Sequence, residues 1–96
     1  MTTRTAKVFA GGMECETLTI RTEGSLMTVD GPYWFGEGLL LNDEYIGVAH
    51  YKTNHGDVAS PMKPVFHKMN FCSLTNKFVG QAKFLSGSVD LEWRVE

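Results

Sequence analysis

The chain has 96 residues, of which 43% are hydrophobic and 21% charged, so it has the length and composition of one globular domain, residues 1–96. Its net charge of −2 lacks the basic excess of a nucleic-acid-binding protein, and no apolar run is long enough to span a membrane. The apolar stretch after Lys7 is too short for a secretion signal. We therefore expect a cytoplasmic protein whose cysteines, Cys15 and Cys72, are reduced.

Short segments of alternating apolar and polar residues, separated by turns, predict strands along most of the chain. The candidate strands are residues 7–10, 14–21, 26–29, 33–41, 45–52, 65–74, 78–84 and 88–95. In the second, Leu18 and Ile20 share a face that Cys15 does not, which predicts a bulge or a change of face near Glu16.

The strand at residues 33–41 is apolar on both faces. One face carries Tyr33 and Phe35 with two leucines, and the other carries Trp34 with Gly36 and Gly38. Two glycines on one face of a strand predict a bend or the close approach of another backbone. Asn42 and Asp43 tolerate left-handed backbone and predict the turn of a hairpin.

No segment has the 3.6-residue apolar spacing of an amphipathic helix, and residues 53–64 have the composition of a loop. The clearest element is the hairpin at residues 78–95, which we expect to turn at Ser86 and Gly87. The sequence thus predicts an all-β fold, a small antiparallel meander that forms a barrel or curled sandwich of about six to eight short strands.

Residues 36–47 read Gly-Glu-Gly-Leu-Leu-Leu-Asn-Asp-Glu-Tyr-Ile-Gly. This stretch resembles the opening hairpin of small lipocalin-like barrels related to a type III secretion negative regulator. In place of the Gly-Gly-Asp that follows in that family, this chain has Gly47, Val48 and Ala49. The resemblance covers a dozen residues and implies a small antiparallel barrel.

The charges divide along the chain. Residues 13–44 contain seven acidic residues and one basic residue, whereas residues 45–83 contain five lysines and one acidic residue. One interpretation is cross-strand pairing, and the other is two opposed patches that direct self-association. A strand apolar on both faces favours a homodimer, with Tyr33, Trp34 and Phe35 at the interface. The alternative is that the amino-terminal strands cover the second face.

Three function classes follow. We favour a non-enzymatic homo-oligomeric module that binds a protein or peptide partner. The first alternative is a lipocalin-like carrier of a small apolar ligand, with interior room left by glycines. The second is a small enzyme with a site at a subunit interface, formed from Glu37, His50, His55 or Asp57. The candidate ligand-binding residues are Glu37, Tyr45, His50 and Tyr51.

We expect no cofactor and no metal, since the spacing of His50, His55 and His67 matches no compact ligand signature. Cys72 lies on an apolar strand and is interpreted as a buried structural thiol.

Overall fold

The computed structural model of the protein describes residues 1–52 and 64–96, which form eight strands. The strands are β1 (Thr2–Ala10), β2 (Met13–Glu23), β3 (Leu26–Asp30), β4 (Trp34–Leu41), β5 (Glu44–Tyr51), β6 (Val65–Cys72), β7 (Lys77–Phe84) and β8 (Gly87–Val95). Each strand pairs antiparallel with the next, and β1 pairs with β8, which closes a barrel. The predicted all-β meander is confirmed, in its barrel form. No helix in these two ranges is long and apolar enough to cross a membrane.

The seam between β1 and β8 is the one pairing between strands distant in sequence. Residues 6–10 pair with residues 91–95. The Arg94 guanidinium lies 3.8 Å from the centre of the Phe9 ring, and the Glu96 N–H donates to the Thr5 carbonyl at 2.9 Å. Both contacts cross the seam and add to its backbone hydrogen bonds.

Two local predictions are confirmed. Val8 pairs with Glu16 while Phe9 pairs with Glu14, so Cys15 is the extra residue of a bulge. Asn42 and Asp43 have φ values of 50° and 63° and form the β4–β5 turn.

The last hairpin differs from the prediction by one residue. Phe84 pairs with Gly87, so the turn is formed by Leu85 and Ser86, and Gly87 is the first residue of β8. The same two strands pair, but each residue of β7 pairs two positions earlier in β8 than a turn at Ser86 and Gly87 would give.

Trp93 is the centre of the core and is fully buried. Its ring centroid lies 5.9 Å from those of Tyr45 and Phe78, 5.3 Å from that of His67 and 6.2 Å from that of Trp34. Because these five aromatic rings come from five different strands, they fill the middle of the barrel.

The glycines at the β4–β5 pairing allow close approach rather than leaving interior room. Gly38 lies opposite Gly47, and a Cβ atom on Gly38 would overlap the carbonyl oxygen of Ile46. A Cβ atom on Gly47 would overlap the Tyr45 hydroxyl. The predicted approach of another backbone is therefore confirmed at Gly38, and the Tyr45 ring occupies the space beside Gly47.

Gly80→Ala should destabilise the barrel far more than Gly36→Ala. A Cβ atom on Gly80 would overlap the backbone carbonyl of Lys68, whereas on Gly36 it would lie 3.2 Å from Trp34 and 3.5 Å from Ala49, both side-chain contacts. We expect a loss of about 3 kcal/mol at Gly80 and about 1 kcal/mol or less at Gly36, measured by urea unfolding. Equal losses would contradict the close approach of β6 and β7.

Candidate functional site

A cavity of about 320 Å³ lies at the end of the barrel where β5 ends and β6 begins. We call it the mouth cavity. Its walls are apolar and include Val8, Ala49, Val65, Ala82, Val89 and Leu91. Alternation brings these residues together, because every second side chain of each strand points into the barrel.

The inner end of the mouth cavity is formed by three aromatic rings. His67 lies between two indoles, 5.0 Å from Trp34 and 5.3 Å from Trp93 between ring centroids, and its ring meets Trp93 edge-on at 75°. The Trp34 Nε1–H donates to the carboxylate of Glu16, which fixes the indole against β2. The sequence placed Trp34 at an oligomer interface, but its ring packs inside the barrel.

Several buried polar atoms around this cavity have no hydrogen-bond partner among the described residues. They are His67 Nδ1, Trp93 Nε1, His50 Nδ1 and, deeper in the core, the Tyr45 hydroxyl. His67 is 4% exposed and Trp93 is fully buried. An unpaired buried polar atom costs about 1–3 kcal/mol, and native proteins rarely leave one without a water or ligand partner.

The two buried side chains at the inner end of the mouth cavity, His67 and Trp93, are uncharged at neutral pH. Burial lowers the pKa of His67 to about 4, so its imidazole is neutral and has one donor and one acceptor nitrogen. Burial, and then the charge of Glu37, raises the pKa of Tyr45. The inner end of the cavity therefore favours an uncharged ligand, because a charge buried beside His67 and Trp93 would lack a counter-charge. The Glu16 carboxylate also lines the cavity and accepts the hydrogen bond of Trp34.

Of the predicted ligand-binding residues, His50 and Tyr51 line the mouth cavity. Tyr45 lies in the core, and Glu37 lies exposed on the outer face of β4. His55 and Asp57 are outside the described residues, so their convergence with His50 stays a hypothesis.

The sequence did not identify His67 and Trp93 as site residues. Trp93 follows a clean alternation that indicates core. His67 lies on a strand with apolar residues on both faces, such as Val65 and Phe66, so its direction was ambiguous. Only the barrel shows that both side chains point into the cavity.

Within residues 1–52 and 64–96, no group of three or more His, Cys, Asp or Glu residues is placed to hold a metal ion. Cys72 is exposed and not buried as predicted, since it points outward at the end of β6. Hydrogen bonds from Thr75 and Leu74 lower the pKa of its thiol. Cys15 is also free.

No protein-family model, curated protein sequence or solved structure matches this chain. The chemistry of the mouth cavity is therefore the feature that indicates a function.

The burial of His67 should make the protein less stable in mild acid. Its pKa is about 4 in the folded protein and about 6.5 when unfolded, so the unfolded chain binds the proton more tightly. The stabilisation that neutral His67 allows is fully present above about pH 6.5, and it is lost as the pH falls toward 4. Between about pH 7.5 and about pH 5.5 we expect a loss of about 1.4 kcal/mol.

The measurement is urea unfolding of the wild type and His67→Phe at both pH values. Carboxyl groups titrate in both proteins, so the difference between their losses isolates His67. Equal losses in the two proteins would show that His67 is solvated or paired in the folded state.

Proposed function

We propose that the protein is a non-enzymatic binding protein that carries a small, uncharged, mainly aromatic ligand in the mouth cavity. The observation that carries this proposal is the pair of unpartnered buried nitrogens, His67 Nδ1 and Trp93 Nε1, beside an apolar cavity. Sites for small molecules combine apolar walls with a few convergent polar groups in this way. On the sequence argument above, the protein would act in the cytoplasm.

The size of the cavity limits the ligand. A dry apolar cavity of about 150 Å³ accommodates benzene, so about 320 Å³ accommodates a two-ring molecule. The Trp93 indole nitrogen can only donate a hydrogen bond. The best ligand would therefore be a flat two-ring compound that presents an acceptor atom to Trp93.

The barrel topology favours this function over binding of a peptide by strand addition. A peptide adds to the free edge of a sheet, but all eight strands described have partners on both sides. An enzyme made from the predicted residues has less support, because Glu37 lies outside the barrel wall and His50 at its mouth.

Quinoline and naphthalene test the proposal, because they have the same shape and only quinoline has an acceptor nitrogen. At about pH 7.5, where quinoline is uncharged, we expect quinoline to bind at least about fivefold more tightly, as a hydrogen bond of about 1 kcal/mol requires. Binding is measured by calorimetry and by shifts of the indole N–H signals in NMR spectra. Equal affinities would contradict a role for the buried nitrogens.

Ala82→Leu tests whether the ligand binds in the mouth cavity. The added side chain enters the mouth cavity, so it should weaken quinoline binding at least about tenfold. Val79→Leu, on the outer face of the same strand, is the control and should leave binding unchanged. Binding that survives Ala82→Leu would place the ligand elsewhere.

A further inference from the structure

The outside of the barrel carries an apolar surface that the described residues leave uncovered. We call it the outer apolar face, and it consists of Leu26, Phe35, Leu39, Ile46, Val48 and Phe66. Leu26 is 60% exposed, Leu39 46%, Ile46 56% and Phe66 51%. A contiguous exposed apolar surface on a soluble domain commonly marks an interaction site.

Strand register makes this face continuous. Leu26 pairs with Leu39, and Leu39 pairs with Ile46, so these side chains form one row across β3, β4 and β5. In the next row, Val48 of β5 pairs with Phe66 of β6. The amino-terminal strands do not cover this face, so the alternative offered by the sequence is not what the structure contains.

The charges at this face are arranged on opposite sides of β5. Glu37 of β4 pairs with Val48, whereas Lys68 of β6 pairs with Ile46 and Lys83 of β7 pairs with Phe66. None of these three charged side chains forms an ion pair with another described residue. The face therefore has an acidic side, an apolar centre along β5 and a basic side.

We propose that a second copy of this chain packs on the outer apolar face, with the two-fold axis running along β5. A two-fold rotation about an axis parallel to β5 keeps each cross-strand row at the same position along the strands. It exchanges the strands on the two sides of β5. β4 of one copy then lies on β6 of the other. Glu37 approaches the partner's Lys68 and the partner's Lys83, and Ile46 meets the partner's Ile46.

Charge selects this axis over the other in-plane choice. An axis across the strands at the row of Glu37, Val48, Phe66 and Lys83 would place Glu37 on the partner's Glu37 and Lys83 on the partner's Lys83. Like charges facing each other across an interface are strongly disfavoured, whereas the axis along β5 places Glu37 opposite the partner's Phe66, beside the partner's Lys68 and the partner's Lys83.

The size of the face sets the expected affinity. Four strands at about 4.8 Å spacing and five residues at about 3.3 Å cover roughly 300 Å² of barrel wall, and because the wall is convex this is an upper limit that is small for a stable interface. We therefore expect a reversible dimer with a dissociation constant in the micromolar range.

Charge reversal provides the sharpest test. In Glu37→Lys, the new lysine lies beside two lysines of the partner, and in the double variant Lys68→Glu/Lys83→Glu, three acidic groups lie close together. Each variant alone should dimerise at least about tenfold more weakly than the wild type in low salt. An equimolar mixture of the two should restore dimers, because each lysine then faces carboxylates.

Sedimentation equilibrium measures these states, and circular dichroism verifies that each variant is folded. Asp90→Lys is the matched control, since it makes the same charge change on the outer side of β8, away from the face, and should leave the dimer unchanged. Ile46→Asp, at the axis, should give a monomer. A monomeric wild type at about 1 mM, or a mixture that stays monomeric, would overturn the proposal.

Discussion

Closure of an eight-stranded barrel is the constraint on which the rest of the structure depends, because it fixes how much space the interior has. A barrel of this size has room for about one layer of side chains across its width. Trp93, Tyr45 and Phe78 use that room at the middle of the axis. The remaining space divides between the two ends: the mouth cavity, and a second, more polar cavity of about 210 Å³ beside Arg4 and Asp43.

The proposed ligand and the proposed second copy would use opposite faces of the same strands. Phe66 points outward and His67 inward on β6, and Val48 and Ala49 have the same relation on β5. A strand that is apolar on both faces would then bury both of them, one against the proposed ligand and core and the other against the proposed second copy.

The sequence predicted the strands better than it predicted which side chains point into the barrel. Alternation defined the strands, the slip at Cys15 indicated the bulge, and Asn42 and Asp43 indicated a turn. Closure was harder to predict, because residues 6–10 pair with residues 91–95 at the other end of the chain, and local alternation does not show which distant strands pair. The direction of Trp34 could not be read from a strand with two apolar faces, since only its partners inside the barrel decide it.

The seam between β1 and β8 determines how well the protein resists aggregation. With all strands paired, the described barrel presents no edge to another chain. If residues 6–10 separate from residues 91–95, two edges appear at once, each with unpaired backbone groups. Resistance to aggregation then depends on the free energy of this local opening, not on charges placed along an edge. The contact of Arg94 with the Phe9 ring and the Glu96–Thr5 hydrogen bond stabilise the seam against this opening.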